Sequence, residues 1–171
     1  MSEKDTIHKG RIKQRGLFDF RDIYEFMYDY LIDENYDIFE RKYVEKVKGD
    51  SKDVEVKWEA MKEISDYFRF VITMEWIILG MKSVEVVKNG KKIKIDSGVF
   101  EIKFRADLVK DYESRWENHP FWKFLRGFYD RYIIRTRVEQ YEEKLLAETV
   151  ELISQVKSLL AIEIKHGTKS D

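Results

Sequence analysis

A chain of 171 residues, 43% hydrophobic and 38% charged, is long enough to bury its own core and too apolar to remain disordered. With no cysteine, it can have no disulfide framework, thiolate metal site or cysteine nucleophile. A formal net charge of −1 gives no global attraction to nucleic acid or anionic lipid. The longest apolar stretch, Trp76 to Leu79, is far short of the roughly 20 residues of a transmembrane helix.

Residues 1–15 are polar and carry no apolar leader, so they are expected to form a flexible arm, and a cytoplasmic location is the natural expectation. A single α+β domain is expected over 16–164, with 165–171 as a flexible tail. The first clear element is a helix capped by Asp19. Phe20, Ile23, Tyr24, Met27, Tyr30 and Leu31 fall on one arc, opposite Arg21, Asp22, Glu25 and Asp29, so this helix faces a core.

From about Tyr43 the period becomes two. Val54, Val56, Trp58 and Ala60 alternate with charged residues, as do Phe100, Ile102, Phe104, Ala106 and Leu108. Between them Phe68, Phe70, Ile72, Met74, Trp76 and Ile78 line one face of a long strand. Turn chemistry at Gly49–Ser51, Gly80, Asn89–Gly90 and Asp96–Gly98 divides the runs; Asn89–Gly90 is the strongest signal, being suited to a type I′ hairpin turn. The expectation is an antiparallel meander of five or six strands.

Helical patterning resumes at Pro120, with Asn118 or His119 as cap, and runs to about Ile164. Unbroken, it would be about 66 Å long, against roughly 40 Å for a globule of this size. Phe121, Phe124, Leu125, Phe128 and Tyr132 cluster on one side, while Ile134, Val138 and Tyr141 have rotated away. This predicts a kink or break within Gly127–Thr136, or a second half with its own partner.

Three scattered histidines and incomplete acidic loops assign no metal site, and no phosphate loop, dinucleotide fingerprint or serine elbow occurs. No catalytic residue and no cofactor are assigned, so enzymatic activity is not the expectation. Three sets of residues remain. Trp122, Lys123, Arg126, Arg131 and Arg135 interleave bases with aromatics, a pattern that can stack nucleobases or lie on a membrane surface. Its acidic neighbours favour instead a core stripe formed by Phe121, Phe124, Leu125 and Phe128. Val138, Tyr141, Leu145, Leu152, Val156 and Leu159, spaced by threes, fours and sevens, suit either a partner interface or packing on the sheet.

The third set comes with a resemblance. Helix, antiparallel meander and long C-terminal helix together resemble the helix-grip architecture of START-like ligand-binding domains, although residues 1–15 offer no counterpart to that family's N-terminal strand. The resemblance implies a curved sheet wrapped about the terminal helix around an apolar cavity, which Phe68, Phe70, Met74, Trp76, Phe100 and Phe104 would either line or fill. The leading functional expectation is a non-catalytic intracellular binding or assembly module. Its C-terminal helix would take a protein partner or a second copy. A carrier or sensor of an apolar small molecule comes next, and a peripheral nucleic-acid or membrane-surface binder last.

Overall fold

The computed structural model describes residues 3–112, 120–132 and 135–167. In chain order these are β1 (Glu3–Phe18), α1 (Phe20–Asp33), β2 (Asp37–Lys48), β3 (Ser51–Glu63), β4 (Phe68–Lys88), β5 (Lys91–Lys110), α2 (Pro120–Tyr132) and α3 (Arg135–Gly167). The five strands form one antiparallel sheet in the order β1-β5-β4-β3-β2. Four of them are the meander; the fifth is the segment expected to be a loose arm.

For residues 3–15 that expectation is corrected. Glu3–Phe18 pairs with β5 along almost its whole length, from Glu3 opposite Lys110 to Phe18 opposite Asp96. The strand escapes a hydrophobicity search because two of its inward positions are glycines. A β-carbon on Gly10 would lie 2.5 Å from Ile153 Cδ1, so α3 packs on bare backbone there. The period of two is carried instead by outward charges, Lys9, Arg11, Lys13 and Arg15.

Two expected turns are also bends within strands. Leu79 faces Val99 and Lys82 faces Ser97, so Gly80 and Met81 lie opposite Gly98 as a β-bulge. Gly80 takes a φ of 61°, and its amide donates to Asp53 Oδ1 at 2.8 Å. A β-carbon on Gly98 would meet the Leu79 carbonyl oxygen at 2.8 Å, backbone that has no side chain to move aside. Beyond the bend, Val84–Lys88 and Lys91–Ile95 pair only with each other. Their ribbon closes at Asn89–Gly90, with φ of 51° and 75°, as the type I′ signal requires.

One face of the sheet is buried. Trp58, Phe70, Ile72, Met74, Trp76, Ile78, Phe100 and Ile102 are all buried on it. Helix α1 covers the part toward β2 through Ile23, Met27 and Leu31, with Tyr24 edge-on to Trp58 at 4.6 Å and Trp76 at 5.5 Å. Its N-terminus is held twice: Asp19 accepts from the Asp22 amide at 3.0 Å, and Asp96 of β5 accepts from the Phe20 amide at 3.2 Å. Helix α3 lies over β1 and β5 through Leu145, Thr149, Leu152, Ile153, Val156 and Leu160. Thr149 is fully buried and satisfies its hydroxyl by donating to the Leu145 carbonyl at 2.7 Å. Residues 133 and 134, at the predicted break, lie outside the described residues, as do the predicted caps Asn118 and His119.

Two outcomes follow from this packing. Gly98→Ala should destabilise the protein by about 2 kcal/mol, because the bulge backbone must shift; a urea midpoint unchanged from wild type would show that the bend does not need glycine there. Burial raises the Asp96 carboxyl above its ordinary value, against the lowering effect of the Phe20 amide. The folded protein therefore holds the proton more tightly, and this group's stability contribution falls as pH rises through the range just above that of ordinary carboxylates. Asp96→Asn should compare more favourably with wild type at pH ~7 than at pH ~4 in urea melts; a difference that does not change with pH would refute the burial cause.

Candidate functional site

The three residue sets fall in three different environments. Phe68, Phe70, Met74, Trp76, Phe100 and Phe104 are all buried, in contact with one another and with the helices. Phe18 lies tilted against Phe100 at 5.2 Å, Phe20 meets Trp76 edge-on at 5.9 Å, and Tyr141 of α3 lies 5.2 Å from Phe68 and 6.3 Å from Phe70. Rings from both helices thus occupy the face that a ligand would line.

The α3 set is turned the same way. Leu145, Leu152 and Val156 are buried, and Val138, Tyr141 and Leu159 are half-buried. The spacing by threes and fours is spent on the chain's own sheet.

The α2 set is the reverse of the expected core stripe. Phe121, Phe124 and Phe128 are 58%, 72% and 53% exposed, and Leu125 is half-buried. The reason lies in the packing above: α1 and α3 already cover the sheet's apolar face, so no sheet is left to receive α2. Lys123, Arg131 and Arg135 are exposed, with Arg135 paired to Glu139 at 3.8 Å; the side chains of Trp122 and Arg126 lie outside the described residues.

Two polar clusters sit at the seams of the core. Glu40 accepts from the Tyr24 hydroxyl at 2.6 Å and the Trp58 indole at 3.0 Å. Glu148 of α3 accepts from the Tyr36 hydroxyl at 2.6 Å and pairs with Lys62 at 2.9 Å, and its own carbonyl takes the Tyr30 hydroxyl at 3.1 Å. Burial first, then nearby carboxylates, raises all three phenols, Tyr30 to about 12. They remain hydrogen-bond donors at any physiological pH, and the carboxylates facing them are occupied as acceptors. This is structural chemistry, tying α3 to the α1–β2 corner. Glu75, which interrupts an apolar run in β4, is a cross-strand partner of Lys57 at 2.9 Å; that hydrogen bond holds its carboxyl below the ordinary value.

The side chains of Lys62 and Glu148 are only 11% and 10% exposed. Glu148→Leu should therefore cost about 3 kcal/mol, since it strands the Tyr36 hydroxyl and leaves Lys62 only its longer contact with Glu34 at 3.9 Å. A loss below about 1 kcal/mol in chemical denaturation would mean that the pair is solvated and holds nothing together.

The signal that could have placed α2 outside the core is the supply of sheet: two amphipathic helices already match one buried face. Among known proteins, no family model, no curated protein and no solved structure matches this chain.

Proposed function

We propose that this is a non-catalytic binding module that receives a protein partner on the aromatic face of α2. The observation that carries the reading is the exposure of Phe121, Phe124 and Phe128. They stand at i, i+3 and i+7, on one side of the helix. Large rings grouped in this way mark interaction surfaces, whereas singly scattered apolar residues do not. A helix presenting anchors at these intervals fits an apolar groove. Exposed Arg131 lies beside the rings on the helix surface, which favours a groove with an acidic rim.

A second reading, the carrier of an apolar small molecule, draws on one observation. The Trp76 indole nitrogen is buried within the aromatic cluster and has no acceptor among the described residues. A ligand with an acceptor oxygen reaching it would have to part α1 from β3 and β4. Its binding would raise the thermal midpoint, and a panel of fatty acids producing no rise would remove the reading.

For the leading reading, Phe124→Ser should change stability by less than about 0.5 kcal/mol, because so little of the ring is buried. A loss of about 3 kcal/mol would return the ring to the core. A photo-crosslinker at position 124 should join one recurrent surface, on a protein partner or on a second copy. Phe121→Ser combined with Phe128→Ser should abolish that crosslink. Crosslinks from position 124 confined to its own chain would sink the proposal.

A further inference from the structure

The solvent-facing side of the sheet carries a charge pattern that packing does not explain. In β1, Lys9, Arg11, Lys13 and Arg15 all point to that side. Lys9 lies directly opposite Arg105 of β5, and Arg11 directly opposite Lys103. Like charges facing each other across strands are destabilising. Two carboxylates offset part of this charge. Glu101 is shared by Arg11 at 2.9 Å, Lys103 at 3.7 Å and Lys13 at 4.0 Å, and Asp107 takes Arg105 at 3.0 Å and the Thr6 hydroxyl at 2.8 Å. Lys9 and Arg15 form no ion pair among the described residues. A third carboxylate, Glu75 of β4, pairs with Lys57 at 2.9 Å and also faces Lys103 and Arg105.

Lys9, Arg11, Lys103 and Arg105 surround a depression of about 380 Å³, with Thr73 and Glu75 on its far side. The near-neutral net charge conceals this concentration: β1 has five cations and two carboxylates and β5 six and three, while α1 has four carboxylates and one arginine.

We propose that this face binds the phosphate backbone of a single-stranded nucleic acid, with Lys9, Arg11, Lys103 and Arg105 holding phosphates in the depression and Lys13 and Arg15 extending the track. Side chains on one face of a strand recur every ~6.8 Å, so the β1 row is roughly 20 Å long. Such a row suits a repeating anion, and the arginine forks match phosphate oxygens. The outward positions from Lys9 to Arg15 are all cations, and the nearest exposed apolar residues of this side, Val99, Leu79 and Ile77, lie toward the Arg15 end of the track. The site is independent of α2.

The test is fluorescence anisotropy of the full chain with a labelled oligothymidylate of about 12 nucleotides. Binding should weaken with salt, with a log–log slope of about −3 for four phosphate contacts. Lys9→Gln combined with Lys103→Gln should weaken it at least tenfold while leaving the thermal midpoint equal or higher, since Lys9 faces Arg105, Lys103 faces Arg11, and Glu101 keeps Arg11. Glu101→Gln should tighten it several-fold, and Phe124→Ser should leave it unchanged. If the double variant does not fold, Arg15→Gln alone should still weaken binding. No binding at about 50 mM salt, insensitivity to the β1 and β5 substitutions, or tighter binding to a duplex of the same length would each overturn the proposal. So would binding to phosphatidylserine vesicles without binding to the oligonucleotide.

Discussion

Ile153 of α3 occupies the space that a side chain at position 10 would need, and much of the architecture follows from that contact. With α3 seated directly on β1, its apolar residues reach across to β5 and cover one part of the sheet. The remainder is left for α1, whose Tyr24 closes on Trp58 and Trp76. The two helices meet where Tyr30 donates to the Glu148 carbonyl and Tyr36 to its carboxylate. Sheet area is then exhausted. The exposure of α2 is a consequence of that limit as much as of its own sequence.

The parts of the fold legible in sequence are those whose signal belongs to a single element. Asp19 followed by an apolar arc marks α1, and Asn89–Gly90 marks its hairpin, because each satisfies a local stereochemical demand. Glycine was less informative. At positions 80 and 98 it announces a special backbone without saying whether the chain turns back or only bends, and the structure shows a bend. At position 10 its role is the absence of a β-carbon, which leaves no mark in a hydrophobicity pattern. The Leu145–Val156 seam and the Phe121–Phe128 stripe show the same difficulty from opposite sides. Amphipathic spacing establishes that a helix has an apolar face, but the count of available surfaces determines what that face meets.

Both proposed surfaces lie outside the buried face, and they differ in kind. The rings of α2 offer apolar contact on a helix, and the cations of β1 and β5 offer charge on a sheet. Charge summed over the chain hides the local excess of cations on β1 and β5, because carboxylates elsewhere in the sheet and on the helices offset it. Both edge strands, β1 and β2, also carry lysine and arginine along their length. That disfavours the addition of strands from other molecules at either edge.

The pairing of β1 with β5 also has a consequence in time. Glu3 meets Lys110, so the first strand synthesised must wait for the last before it has a partner. At ordinary translation rates, the intervening hundred or so residues take roughly 5–20 s to emerge. For that interval the segment is an unpaired strand beside a growing chain of apolar ones. A sequence with only a few apolar side chains and a cation at nearly every second position can wait in water without being captured by the wrong neighbour.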